Sequence, residues 1–397
     1  MFIKEVKGDI IKNSRNEKTV HIEIDTYHGK FWAAAPSGKS KGKHERPDYN
    51  EFGIQESLKL LKIFAEHLKN NNFNIKKFED LEELEKLITR FENKFGKLGA
   101  NVTYALETAF LKAAAKENKK ELWEFVKGNW KAKIPMPVGN CIGGGKHSKG
   151  DKKPEFQEFL LIPKEESFSR AITKNLHAYN RAKSLLKKKE KKWFMSRNDE
   201  SAWHTSLNNE EVLDILRQVA DEFDLRIGMD VAASSFYFNG WYMYKNKKLR
   251  NKREQIDYLK RLINKYKIFY IEDPVQEEDF NGFYELKTDN KKSLIVGDDL
   301  TVTTLQRVNT ALGTRAINAI IVKPNQIGSM IEVRKVVELC KKKNIRIIFS
   351  HRSGETMDDA LADYAVGFGA DFIKTGIHGR ERMIKLRRIV EIEKSLK

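Results

Sequence analysis

From residue 225 onward, short apolar segments alternate with amphipathic segments of helical length, and a polar residue follows each apolar segment. The predicted strands are 225–229, 268–271, 294–296, 319–322, 345–349 and 372–373. Apolar strands that alternate with helices predict a parallel sheet buried on both faces. The recurring strand–helix unit therefore predicts an α/β fold with a (β/α)8-type (TIM-like) barrel.

The polar residues that end these strands share one expected location. They are Asp230, Glu272, Asp298, Lys323, His351 and Lys374. In a closed barrel the C-terminal strand ends converge on one face, where active sites lie. The three carboxylates are hard oxygen ligands that suit Mg²⁺, and without a cation they would raise one another's pKa. Lys323 is a candidate general base, and Lys374 is a candidate partner for a substrate anion.

The first 130 residues follow a different pattern. Segments 18–24 and 30–34 are predicted strands, and residues 50–127 are mainly helical. Segment 133–140, which contains two prolines, is predicted to be the boundary. We expect an N-terminal α+β capping domain at 1–130 and a C-terminal catalytic barrel at 131–397. Asn208 with Glu211, and Ser329 with Glu332, predict helix N-termini.

Composition bears on partners and compartment. The net charge of +18 makes nucleic acid a candidate partner, but 54 of the 74 basic residues are Lys rather than the Arg that phosphate recognition favours. Nucleic acid is therefore disfavoured without being excluded. The chain has two cysteines and a charged N-terminus, and no apolar run approaches the ~18 residues of a membrane span. We expect a cytoplasmic protein without a disulfide framework.

Residues 33–40 match the loose phosphate-loop pattern that ends in Gly-Lys-Ser. Such a loop must begin a helix, whereas residues 41–47 are polar and include Pro47. This context argues against a nucleotide site.

Six ordered motifs carry a resemblance to a known family. They are Met229-Asp-Val-Ala-Ala-Ser234, Tyr270-Ile-Glu-Asp-Pro274, Val296-Gly-Asp-Asp-Leu-Thr-Val-Thr303, Lys323-Pro-Asn-Gln-Ile-Gly328, Ser350-His-Arg-Ser-Gly-Glu-Thr356 and Ile373-Lys-Thr-Gly376. The chain resembles enolase, the phosphopyruvate hydratase of glycolysis. The resemblance implies a lyase that reversibly dehydrates 2-phosphoglycerate, a small phosphorylated carboxylate, to phosphoenolpyruvate. It also implies two Mg²⁺ per active site, the second bound with substrate, and a homodimer or a higher assembly of dimers.

The resemblance also implies a role for each site residue. Asp230, Glu272 and Asp298 match the ligands of the tighter Mg²⁺, Lys323 matches the base at C2, and Glu200 matches the acid that helps to expel the C3 hydroxyl. The other matched positions are Gln157 and Glu158 on the substrate and acid side, His147 in a mobile loop, Arg352 and Ser353 at the phosphate with His351 beside them, Lys374 at the substrate carboxylate, and Ser40 as a ligand of the second Mg²⁺.

Some positions depart from the family pattern. Lys39 and Lys41 flank Ser40 where the family has small residues, and Ser201 replaces a glycine after Glu200. Either both lysines point to solvent, or they strengthen phosphate binding and weaken binding of the second metal ion. Two alternative functions remain: a non-catalytic relative that binds polyanions or a protein through its basic surface, and a different carboxylate substrate on the same scaffold.

Overall fold

The computed structural model describes residues 1–69, 71–150, 152–190, 195–245 and 248–396. In this part of the chain, an N-terminal antiparallel sheet of three strands precedes the barrel. The N-terminal elements are β1 (Ile3–Lys12), β2 (Lys18–Thr26), β3 (Gly29–Ala34), α1 (Ile54–Lys69), α2 (Glu82–Phe95), α3 (Ala100–Glu117) and α4 (Leu122–Lys127).

The remaining strands follow in chain order. They are β4 (Met136–Gly143), β5 (Glu158–Pro163), β6 (Trp203–His204), β7 (Leu225–Asp230), β8 (Tyr237–Phe238), β9 (Trp241–Met243), β10 (Leu249–Arg250), β11 (Ile268–Glu272), β12 (Leu294–Gly297), β13 (Ala319–Val322), β14 (Arg346–Ser350) and β15 (Phe372–Lys374). The remaining helices are α5 (Phe168–Lys189), α6 (Asn209–Glu222), α7 (Lys252–Tyr266), α8 (Phe280–Asp289), α9 (Leu305–Gly313), α10 (Pro324–Ile327), α11 (Met330–Lys342), α12 (Ala360–Gly367) and α13 (Arg380–Ser395).

Helix α3 connects the N-terminal sheet to the barrel. Alternate residues of β2, Val20, Ile22 and Ile24, are fully buried, and α3 contacts β2 and β3. Its other side contacts α10 and α11 of the barrel, so nearly every side chain of α3 is buried. A helix enclosed on all sides needs apolar residues around its whole circumference, which explains its run of alanines and large apolar residues.

Among the described residues, eight strands close the barrel in the order β4, β5, β7, β11, β12, β13, β14, β15, and β15 pairs with β4. The predicted barrel is confirmed. Its interior is filled by side chains such as Leu160, Tyr270 and Ile348. A filled interior leaves the strand ends as the place where a ligand can bind.

The six strands predicted from residue 225 onward are parallel to one another, as expected, but an earlier strand that was not predicted is not. Strand β5 runs antiparallel to both β4 and β7. No α-helix lies in the described part of the β4–β5 connection, whereas a parallel pair needs a long crossover. The N-terminal end of β5 therefore lies beside the C-terminal ends of its neighbours, and Glu158 pairs with Asp230.

Several local predictions can be compared with the structure. Asn208 and Glu211 form the reciprocal capping box at α6. At α11 the Ser329 hydroxyl accepts the backbone N–H of Glu332. The Glu332 carboxylate accepts the backbone N–H of Leu305 rather than that of Ser329, so only half of the predicted capping box forms. The predicted boundary segment 133–140 is largely strand, because β4 begins at Met136.

The structure also bears on two features that the sequence argues against, a nucleotide phosphate loop and a membrane-spanning helix. No helix begins between Ser40 and Ile54, so residues 33–40 lack the helix that a nucleotide phosphate loop requires. Within the described ranges, no helix combines the length and apolar character needed to cross a membrane.

Candidate active site

The six predicted strand-end residues meet at one end of the barrel. Asp230, Glu272 and Lys374 are the last residues of β7, β11 and β15. Three others directly follow β12, β13 and β14; these are Asp298, Lys323 and His351. They line a narrow cavity of about 20 Å³, except Glu272, whose carboxylate accepts a hydrogen bond from Lys374. Room for only one water-sized group means that substrate entry requires a surrounding segment to open.

Lys374 is the centre of a buried carboxylate cluster. Its Nζ lies 2.8 Å from Glu272 Oε2, 3.1 Å from Glu158 Oε2 and 3.3 Å from Asp230 Oδ2. Burial alone would lower the pKa of Lys374, but the three carboxylates raise it well above its usual value. Lys374 is therefore a permanent cation at the floor of the cavity.

Lys323 and Asp298 form a second ion pair. Lys323 Nζ donates to Asp298 Oδ2, and Gln326 donates to the other carboxylate oxygen at 3.4 Å. Burial opposes the effect, but Asp298 raises the pKa of Lys323. Lys323 therefore holds its proton as long as Asp298 remains its partner.

The carboxylates that can hold a metal ion extend beyond the predicted trio. In the described part of the chain, donor atoms within 4.8 Å of one another form two groups, Asp273–Asp298–Asp299 and His147–Glu158–Glu200. The predicted ligands Asp230 and Glu272 are instead separated by Lys374. Lysine ammonium groups thus balance part of the charge of the predicted trio.

The donor set fits a hard divalent cation. Burial and the charge of Asp230 raise the pKa of Glu272 to about 8. Burial and Asp298 raise the pKa of Asp299 to about 8 as well. Buried carboxylates that repel one another in this way are stabilised by a cation, and oxygen ligands of this kind suit Mg²⁺. The residues present therefore fit the magnesium that the sequence predicts.

Two carboxyls and two imidazoles form another group that lines the cavity. His147 Nδ1 lies 3.3 Å from Glu200 Oε1 and 3.7 Å from Glu158 Oε1, and His351 Nε2 lies 3.6 Å from Glu200 Oε2. Burial and the charge of Glu200 raise the pKa of Glu158 well above its usual value. Burial opposes the effect, but His147 and His351 hold the pKa of Glu200 well below its usual value. Of the two carboxyls, Glu158 therefore binds a proton more strongly than Glu200.

A tight turn positions Glu200. Asn198 Oδ1 accepts the backbone N–H groups of Glu200 and Ala202, both at 3.0 Å. Ser201, inside this turn, has a φ of 63°, the left-handed conformation that favours glycine. Asn140 of β4 donates to Glu200 Oε2 at 3.0 Å. The turn and the strand together fix the direction of the carboxylate.

Arg352 and Ser353, the predicted phosphate ligands, both line the cavity. Arg352 is buried, and its Nη2 donates to both Glu45 oxygens at 2.9 and 3.1 Å. A Cβ on Gly38 would lie 2.0 Å from Arg352 Nη2, so only glycine lets the chain pass over the guanidinium. Ser353 Oγ accepts the backbone N–H of Lys39 at 2.9 Å.

Residues 36–42, named the catalytic loop here because the sequence predicts Ser40 as a ligand of the second Mg²⁺, lie at this cavity. Gly38 and Ser40 line the cavity, but neither lysine of the loop does. Lys39 Nζ lies 2.6 Å from Asp199 Oδ2, and Lys41 Nζ lies 2.5 Å from Asp48 Oδ2. Both lysine side chains are partly exposed, and each is paired with a carboxylate. They are therefore neither free in solvent nor part of the cavity lining, so neither interpretation of these lysines describes them fully.

Gln157 also lies in the predicted place, where its Nε2 donates to Asp230 at 3.1 Å. Sequence reasoning missed Tyr270, whose hydroxyl donates to Glu272 at 2.5 Å. It also missed Asp273, which accepts the backbone N–H groups of Asp298 and Asp299. The family motifs could have identified these residues, because Tyr270 and Asp273 lie in motif 270–274 and the candidate metal ligand Asp299 lies in motif 296–303. Glu45 carried no such signal, because it lies outside them.

Comparisons with known proteins agree with this geometry. A family model described as "Enolase, C-terminal TIM barrel domain" matches residues 131–397, and one described as "Enolase, N-terminal domain" matches residues 3–126. The enolase of Methanosphaera stadtmanae is 37% identical, over 99% of this chain and 97% of the relative. The enolase of Methanothermobacter thermautotrophicus is 35% identical over 100% and 97%. That of Thermoplasma acidophilum is 35% identical over 99% and 98%.

Proposed function

The chain belongs to the enolase family of hydro-lyases, and from this premise we propose that it reversibly dehydrates 2-phosphoglycerate to phosphoenolpyruvate with Mg²⁺. One observation carries the proposal: a single narrow cavity is lined both by Lys323 and by the carboxyl pair Glu158 and Glu200. An elimination of water needs a base and an acid on opposite faces of the substrate. Lys323 and the Glu158–Glu200 pair are the groups proposed for these roles.

Lys323 is the proposed base. The C2 proton of 2-phosphoglycerate is adjacent to a carboxylate and is very weakly acidic, so its removal needs a close base and stabilisation of the developing charge. Lys323 can accept a proton only after its pairing with Asp298 is weakened, because Asp298 raises its pKa. Lys374, which keeps its proton, is the proposed cation at the substrate carboxylate.

Glu200 is the proposed acid for the C3 hydroxyl, and Glu158 is its proton reservoir. Glu158 binds a proton more strongly than Glu200, as the opposite directions of their pKa shifts indicate. His147 lies within 3.7 Å of both carboxyls and so provides a short path between them. His351 approaches Glu200 from the other side. Together these four groups deliver one proton to the leaving hydroxyl.

The proposed metal ligands are Asp230, Glu272 and Asp298 for one Mg²⁺, with Ser40 for a second that binds with substrate. Bound Mg²⁺ supplies positive charge where negative charge develops on the substrate carboxylate. Arg352 and Ser353 are the proposed phosphate ligands, and Gln157 lies beside Asp230 to contact the substrate. Closure of the catalytic loop excludes water from this set.

We extend the proposal to the organisation of the protein. Residues 1–130 form a capping domain that carries the catalytic loop, and residues 131–397 form the catalytic barrel. The protein acts in the cytoplasm as a homodimer or a higher assembly of dimers. Sedimentation of the purified protein tests the assembly, because a monomer at working concentration would contradict it.

The first experiment tests the reaction itself. Purified protein with 2-phosphoglycerate and Mg²⁺ should give the absorbance rise of phosphoenolpyruvate. A chelator should abolish the rise, and added Mg²⁺ should restore it. Asp298→Asn keeps the shape but removes a charge, and it should raise the Mg²⁺ concentration needed for half activity. Full activity in excess chelator would contradict a metal-dependent reaction.

The second experiment separates base from acid. Lys323→Ala should stop exchange of the C2 hydrogen with deuterated solvent. Glu200→Gln should slow dehydration yet leave C2 exchange detectable, because proton removal precedes loss of the hydroxyl. Glu158→Gln should behave like Glu200→Gln if the two carboxyls act as one unit. Undiminished exchange in Lys323→Ala would assign the base to another residue.

A further inference from the structure

A second cavity, of about 560 Å³, lies on the outer side of the catalytic loop. Lys39 lines this outer cavity, whereas its neighbours Gly38 and Ser40 line the catalytic cavity. Among the described residues the two cavities share no lining side chain. The catalytic loop therefore forms a wall between them.

The outer cavity is strongly basic. Its described lining residues include the cations Arg15, Lys39, Lys149, Arg197 and Arg382, and the carboxylates Asp199 and Glu381. Burial lowers the pKa of the His204 imidazole, so this residue adds no charge at neutral pH. Arg15 is paired with Glu17 outside the lining, so the other four cations against two carboxylates leave a net charge of +2. A concave surface of one sign concentrates its field in the cavity.

The carboxylates of the outer cavity are already paired. Asp199 Oδ2 lies 2.6 Å from Lys39 Nζ and 3.9 Å from Arg15 Nε. Glu381 Oε2 lies 3.9 Å from Arg382 Nη1. These contacts neutralise both carboxylates and do not involve Lys149 or Arg197.

Two cations of the outer cavity are available to a ligand. In the described part of the chain, no carboxylate lies within ion-pair distance of Lys149 or Arg197. Arg197 donates through Nε to the Tyr179 hydroxyl at 3.0 Å, and its guanidinium stacks 4.8 Å from the Trp203 ring. The stacking fixes the guanidinium plane and leaves its Nη groups for an anion.

Arg382 adds a buried donor. Its side chain is 1% exposed. Its Nη2 donates to the Ser353 carbonyl oxygen at 2.7 Å, and its Nη1 donates to Ser14 at 3.0 Å. Its Nε–H has no hydrogen-bond acceptor among the described residues. A buried charged donor without an acceptor is unfavourable, and a bound anion would supply one.

We propose that the outer cavity binds a phosphoryl anion at a site separate from the catalytic cavity. Guanidinium groups bind phosphate oxygens in pairs, and Lys149 adds a point charge at the rim. An anion in the outer cavity also competes with Asp199 for Lys39, so its binding favours opening of the catalytic loop. The proposal concerns binding and does not depend on the reaction proposed above.

Calorimetric titration of the full-length protein with inorganic phosphate at low ionic strength tests this site. Wild-type protein should show a saturable class of sites whose affinity falls about tenfold in Arg197→Gln, the loss expected for one charge-assisted contact. Lys149→Gln, on an exposed side chain, should weaken the same class severalfold and keep the fold intact. A parallel titration with glycerol phosphate distinguishes free phosphate from a phosphate monoester, because the tighter probe identifies the ligand class.

Lys291→Gln and Lys292→Gln are matched controls. They remove the same charge from exposed positions just before β12, at the opposite end of the barrel. Both should leave phosphate affinity unchanged. Equal weakening in controls and cavity variants would overturn the proposal, because it would reduce the effect to net charge. Wild-type affinity in both cavity variants would overturn it as well.

Discussion

The ion pair between Lys39 and Asp199 should help to hold the catalytic loop closed. It joins that loop to the turn that carries Glu200, with 2.6 Å between Nζ and Oδ2. The two side chains are 32% and 17% exposed, and pairs with such exposure contribute about 0.2–1 kcal/mol. A loss of 1 kcal/mol changes a closing equilibrium about fivefold. We therefore expect Lys39→Ala to lower kcat/KM by up to about fivefold.

A double-mutant cycle measures this coupling. Lys39→Ala, Asp199→Asn and the double variant are assayed for kcat/KM, and the coupling energy should be about 0.5–1 kcal/mol at low salt. It should shrink at about 1 M salt, which screens partly exposed charges. Lys30→Ala is the control, because Lys30 pairs with Glu23 at 2.8 Å in the N-terminal sheet. Additive effects in the cycle, or an equal loss in Lys30→Ala, would refute the reasoning.

Three further predictions follow from buried or strained groups. Glu107 is fully buried, and it accepts the first backbone N–H of α11 at 2.7 Å. Burial raises its pKa well above its usual value, so the free energy of unfolding should fall as pH rises from about 4.5 through the folded-state pKa, by ~1.4 kcal/mol for each pH unit in that interval. Glu107→Gln should flatten this dependence in denaturant titrations at several pH values, and an unchanged profile would contradict the assignment. Gly38→Ala places a methyl group 2.0 Å from the Arg352 guanidinium, so KM should rise about tenfold while circular dichroism stays unchanged. Ser201→Gly removes the side chain that is strained at a φ of 63° and should increase the free energy of unfolding by about 1 kcal/mol, a gain whose absence would show that the turn is not strained.

The sequence alone was sufficient for features that depend on neighbouring residues. Apolar runs that end in Asp230, Glu272 and Lys374 predict the strands and the face on which these residues meet. Asn208 identifies a helix N-terminus because the capping box spans only four residues. The six ordered motifs carried the family resemblance, and that resemblance, rather than periodicity, supplied the proposed roles.

Tertiary structure alone decided the direction of β5. An apolar run has the same pattern in a parallel and an antiparallel strand, so periodicity could not show that β5 reverses. This reversal is what brings Glu158, at the start of its strand, opposite Asp230 at the end of another.

Tertiary structure also decided the partners of the charged residues. Lys39 pairs with Asp199 across 160 residues of sequence, and Arg352 pairs with Glu45 across 307. The sequence shows that a residue is charged, but the distance to its partner exists only after the N-terminal loops fold over the barrel. Electrostatic energy depends on that distance and on burial. The pKa shifts and the lining of the outer cavity therefore could not be predicted from the sequence.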